Sequence, residues 1–112
     1  MSQHNPFAGV PQIDVKTAYE QLQSDEASFV DVREPDEWNE GHIEGITWIP
    51  LGQLPMRWKE LDPARKWVCV CHLGSRSNYA AAMLRQAGLD ASNMAGGMLD
   101  WEMKKLPVTG PR

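Results

Sequence analysis

Cysteine is scarce in this chain: of 112 residues only Cys69 and Cys71 carry a thiol. They stand two apart in what reads as one strand, where extended backbone separates them by roughly 6.6 Å. That is close to the upper limit for a disulfide, so two free thiols and a reducing compartment are expected. No second Cys or His pair stands at zinc-ligand spacing, and no metal is expected. Basic residues are also few, 11 against 15 acids, for a net charge of -4. With no Lys/Arg cluster, a nucleic-acid surface and a polybasic membrane surface are both excluded. No apolar run is long enough to span a bilayer. The first residues lack a basic-then-apolar leader pattern, which makes the cytoplasm the expected location. There is no internal repeat, and the length suits one domain.

What is present reads as alternating strands and helices. Residues 1–11, with two prolines and a glycine, read as a loose arm. Gln12-Ile13 reads as a short strand, and Asp14 as the N-cap of a helix over Val15–Gln23. Ser28–Val32 reads as a central strand, apolar except for Asp31. Glu34–Trp38, with Pro35 early and acids in the first turn, reads as a solvated helix start that Gly41 ends. Ile46–Ile49 reads as a strand and Gln53–Leu61 as a helix. Trp67–Val70 reads as a buried β-branched strand, Asn78–Ala87 as a helix stopped by Gly88, and Ala91–Met94 as the last strand. Gly96-Gly97 then turns into a final helix, with residues 109–112 as a tail. This order implies an α/β domain over residues 12–108 with a mainly parallel sheet.

The chemistry concentrates in Cys71-His72-Leu73-Gly74-Ser75-Arg76-Ser77, between the buried strand and its helix. Backbone N–H groups at a helix start have no intrahelical partner, and the helix dipole places positive charge there. Amides curling around one sulfur make an anion-binding concavity, which favours the nucleophilic thiolate. Gly74 permits the tight turn, and Arg76 adds a fixed positive charge. Ser75 and Ser77 are candidate donors to the sulfur, or caps. His72 is either an acid/base beside the nucleophile or a solvated loop residue.

Cys71-x-x-Gly74-x-Arg76-Ser77 resembles the active-site loop of the rhodanese (sulfurtransferase) family. Upstream, Val30-Asp31-Val32-Arg33-Glu34, Glu37-Trp38, Gly41–Gly45 and Ile49-Pro50 resemble that family's signature. Downstream, Leu84–Gly88, Gly96-Gly97, Trp101 and Leu106-Pro107-Val108 do the same. The resemblance implies five mainly parallel strands flanked by helices on both faces. It implies a Cys71 persulfide that takes sulfur from a thiosulfate-like donor and passes it to cyanide, a thiol or a protein acceptor, with no cofactor. His72, Leu73, Gly74, Ser75, Arg76 and Ser77 would form the anion-binding loop. The related dual-specificity phosphatases have one more residue between cysteine and arginine, so the four found here favour sulfur over phosphate. Trp48, Ile46, Met98 and Lys105 depart from the family's usual residues without being expected to touch the loop.

Asp31 lies between valines and needs a partner. Strand carboxyl ends converge in such sheets, which places Asp31 and Arg33 near the loop as supports. Cys69 reads as a small core residue, His42 as a hydrogen-bonded turn residue, and the five tryptophans as packing. The rival readings are a non-catalytic binding or regulatory module, and a Cys-dependent phosphatase or arsenate reductase.

Overall fold

The computed structural model describes residues 9–110. The expected arm lies outside the described residues over 1–8, as does the expected tail over 111–112. Val10 is buried, the Pro11 carbonyl accepts from the Asn93 amide, and Thr109 pairs with His42 in both directions. Packing contacts therefore reach beyond residues 12–108 at both edges.

Five strands make one sheet in the order β1-β5-β4-β2-β3. They are β1 (Gln12–Ile13), β2 (Ser28–Asp31), β3 (Thr47–Trp48), β4 (Lys66–Val70) and β5 (Asp90–Met94), and every pairing is parallel. Central β4 is apolar on both faces because both are covered, as parallel sheets require. Helices α1 (Val15–Gln23) and α5 (Gly97–Met103) cover one face, packing Val15, Ala18, Met98 and Trp101 against Phe29, Val68 and Val70. Helix α4 (Ser75–Gln86) covers the other, packing Ala80, Ala81 and Leu84 with Val30, Val32, Cys69 and Cys71. A short α2 (Pro35–Glu40) follows β2.

Two elements differ from expectation. The helix expected over Gln53–Leu61 is broken into a 3-10 turn (Leu51–Gln53), α3 (Leu54–Arg57) and a second 3-10 turn (Trp58–Glu60). Pro55 has no N–H to give to the Leu51 carbonyl, so the leading 3-10 turn cannot continue into α3 as one α-helix, while in the first turn of α3 itself Pro55 is tolerated. Helix α4 begins at Ser75 and not at Asn78, which makes Ser75, Arg76 and Ser77 its first turn. Gly74 makes this possible: at φ 108 it takes the left-handed backbone that lets a helix start directly after the loop.

Candidate active site

Cys71 follows the last residue of β4, and four residues later, at Ser75, α4 begins. The loop between them is held from behind by the start of α5. The Met98 amide donates to the Cys71 carbonyl (2.8 Å) and the Leu99 amide to the His72 carbonyl (3.0 Å). Gly97 is required for this approach: a Cβ there would lie 2.6 Å from the Cys71 carbonyl oxygen and closer still to that of His72. Met98, expected to be clear of the loop, thus binds it through its backbone.

With the carbonyls engaged on that side, the sulfur collects donors on the other. Cys71 Sγ accepts from the Gly74 amide at 3.1 Å and lies 3.2 Å from the Ser77 hydroxyl. Cys71 is 1% exposed and Ser77 is fully buried. Of the two candidate serines only Ser77 reaches the sulfur. Ser75 is exposed, and neither caps α4, whose N-cap is Gly74. His72 and Leu73 both point outward, Leu73 at 59% exposure.

Arg76 is placed differently from the expectation. Its Nη1 and Nη2 donate to the two Glu37 carboxylate oxygens, each at 2.8 Å. Glu37 is therefore not part of a purely solvated helix start: it bridges α2 to α4. Arg76 donating to its carboxylate holds the Glu37 carboxyl down to about 2, and the same pair raises the Arg76 guanidinium.

Asp31 and Arg33 form a fully buried ion pair, with Arg33 Nε 3.0 Å from both Asp31 oxygens and Nη2 at 2.9 Å. The Arg33 backbone amide also donates to Asp31. The guanidinium continues to the Gly41 carbonyl (2.8 Å) and the Glu37 carbonyl (3.3 Å), so it clamps both ends of α2. Support for the loop runs through a chain, Asp31 to Arg33 to α2, and then from Glu37 to Arg76. Trp48 adds to it: its Nε1 donates to the Arg33 carbonyl, and its ring stacks on Trp38, which stacks on His42. His42 Nδ1 lies 2.8 Å from the Trp38 carbonyl.

Cys69 is fully buried in the α4-side core, and burial pushes its thiol up, with the neighbouring Cys71 adding to the effect. Its partner across the strands is Asn93 of β5, which sequence reading treated only as part of a strand. Asn93 is 3% exposed, and its Oδ1 lies 2.5 Å from Ser77 Oγ. Its Nδ2 donates to the Gly74 carbonyl (3.0 Å) and to Gln12 Oε1 (2.8 Å). A single carboxamide thus grips both residues that contact the sulfur. The signal available beforehand was an amide inside an otherwise apolar strand.

The arrangement is a sheltered sulfur with two donors at a helix N-terminus, suited to a nucleophilic cysteine that carries an anionic group. YrkF of Bacillus subtilis, a candidate sulfur carrier protein, is 34% identical over 99 residues, 87% of this chain. The chain spans 54% of YrkF. A sulfurtransferase of Allochromatium vinosum is 32% identical over 104 residues, covering 91% of this chain and 97% of that protein. The crystal structure of a rhodanese-related protein from Thermoplasma volcanium superposes with a TM-score of 0.84 at 32% identity, over 88% of this chain and 97% of that one. The rhodanese-like domain family matches residues 14–104, and the chain belongs to that family.

Proposed function

We propose that the protein is a sulfurtransferase that moves a sulfane sulfur from thiosulfate or a similar donor to a thiophilic acceptor through a Cys71 persulfide. The observation that carries this reading is the Cys71 sulfur, with the Gly74 amide and the Ser77 hydroxyl beside it at the start of α4. The Cys71 thiolate attacks the outer sulfur of thiosulfate. A sulfur–sulfur bond forms to Cys71, the bond to the sulfonate sulfur breaks, and sulfite leaves with its electron pair. The terminal sulfur of the persulfide carries the negative charge, which the helix N-terminus and the two donors stabilise. An acceptor nucleophile, cyanide or a thiol, then takes that sulfur and restores the thiolate.

Arg76 acts in this scheme through Glu37 as the brace of the loop, and the loop amides meet the donor anion. Two unpaired thiols suit a reducing compartment such as the cytoplasm. The names of YrkF and the Allochromatium vinosum protein support sulfur transfer as the reaction class.

Intact-protein mass spectrometry after incubation with thiosulfate, without reductant, tests the reading. Wild type is expected to gain one sulfur atom and lose it on addition of cyanide, and Cys71→Ser to gain none. Reduced, folded wild type that takes up no sulfur from any sulfane donor would overturn it.

A further inference from the structure

The Ser77 hydroxyl has one proton and two acceptors within reach. Cys71 Sγ lies 3.2 Å away and Asn93 Oδ1 2.5 Å away. The orientation of the Asn93 amide is settled by its other end, because Nδ2 faces the carbonyl of Gly74 and Oε1 of Gln12. Its Oδ1 must therefore accept from Ser77, the neighbour with a proton to give. While Cys71 is a thiol, the set is complete: the S–H is a weak donor toward Ser77 Oγ, and the Ser77 O–H donates to Asn93 Oδ1. Once the thiol proton has left to solvent base, the sulfur can only accept. A charged acceptor draws the hydroxyl more strongly than a neutral carboxamide does. The single proton then turns to the sulfur, and the buried Asn93 oxygen gives up its donor, which costs free energy.

We propose that Asn93 is a positioning residue that sets the direction of the Ser77 hydroxyl, holding its proton while Cys71 is a thiol and releasing it when the sulfur becomes anionic. Asn93 thereby opposes ionisation of the resting sulfur, and the donor is already in place when the charge appears. The network extends through Gln12, whose Nε2 donates to Asn78 Oδ1 on α4, so the carboxamide cannot rotate freely. Among the described residues, the charged and titratable groups that interact with the sulfur are Cys69 on β4 and Arg76 on α4, whose partner is Glu37 on α2, and His72 follows Cys71 in the loop. None belongs to the Ser77–Asn93 link.

This inference rests on Cys71 as the nucleophile but not on the sulfur donor, so failure to load sulfur leaves its test intact. The test is the pH profile of Cys71 alkylation by iodoacetamide in Asn93→Ala, Ser77→Ala and the double variant. Without the Asn93 oxygen the Ser77 proton has only the sulfur to meet. Asn93→Ala is expected to move the midpoint downward by about half a unit or more, roughly threefold in reactivity below it. In the Ser77→Ala background that shift should fall by at least half, because no hydroxyl remains to be redirected. A smaller reduction, or a midpoint that stays or rises in Asn93→Ala, would overturn the proposal. A measurement on wild type covers the case of a variant that does not fold. The Asn93 side-chain amide resonances should titrate with the midpoint of Cys71 alkylation, and move at most half as far in Ser77→Ala. An Asn93 amide that stays still as Cys71 ionises would also overturn it.

Discussion

Arg76 and Glu37 face each other as a two-point pair, both contacts at 2.8 Å, across 39 residues of sequence. The pair ties the first turn of α4 to the first turn of α2, and so ties the cysteine loop to the clamp that Arg33 builds on Asp31. It also cancels the positive charge nearest the site.

The first prediction concerns acid. The Glu37 carboxyl is lowered from an ordinary 4.5 to about 2 in the folded protein. A depressed carboxylate stabilises the fold fully above its unfolded value and loses that contribution as pH falls through the folded one. The contribution should therefore fade between about 4.5 and 2. Glu37→Gln is expected to cost about 1 kcal/mol at neutral pH, a partly exposed pair being worth little more. By pH 2 that difference should be nearly gone. Urea unfolding of both proteins across this range checks it.

The second concerns the donor. A thiosulfate dianion approaching the loop amides meets the Glu37 charge held beside the loop by Arg76. Glu37→Gln keeps an acceptor for the guanidinium while removing the repulsion. It is expected to raise kcat/KM for thiosulfate about three- to tenfold at low salt, with a smaller gain at high salt. Initial rates at two ionic strengths decide the point, and a loss of rate with thiosulfate would contradict it.

The third concerns the clamp. Asp31 is fully buried with Arg33 as its counter-ion. Asp31→Asn leaves that guanidinium without its charge partner and should cost about 3–5 kcal/mol. Chemical denaturation measures the loss. A change below about 1 kcal/mol would mean that the backbone contacts of Arg33 suffice.

The fourth separates the two cysteines. Cys69 is packed in the core with its thiol pushed up by burial, so it is a poor nucleophile. Cys69→Ala should load sulfur from thiosulfate within about twofold of wild type, at a stability cost of about 1 kcal/mol for the lost packing. A tenfold drop in loading would reveal a resolving role.

The fifth concerns Lys105, which holds a left-handed backbone at φ 58 just after α5. That conformation costs a side-chain-bearing residue roughly 1–2 kcal/mol, part of which glycine returns to the unfolded chain. Lys105→Gly should stabilise by about 0.5–1 kcal/mol, read as a higher denaturation midpoint.

Elements with local causes were the legible ones. Asp14 caps α1 by accepting from the Thr17 amide at 2.7 Å, as its position before Val15 implied. Gly88, at φ 99, follows the end of α4 as expected of a left-handed stop. The span from Leu51 to Leu61 was less legible, because its apolar spacing suggests one helix while the backbone changes between 3-10 and α twice, and Pro55 bears only on the first change. Asp31 announced a partner by being a carboxylate among valines, and that partner, Arg33, was near in sequence. Glu37 and Asn93 gave weaker signals: acids are ordinary in a first helical turn, and one amide in a strand does not name what it meets.

The amino-acid order alone determined the α/β class, the strand–loop–helix that carries Cys71, and the four-residue spacing between Cys71 and Arg76. Those depend on backbone preferences and spacing within a few residues. Tertiary structure decided which side chains meet around the sulfur: Glu37 on Arg76, and Asn93 on Ser77 from 16 residues away. In a parallel sheet the carboxyl ends of distant strands converge. A hydrogen bond exists only where two groups come within about 3 Å, and that distance is fixed by the packing of the whole sheet.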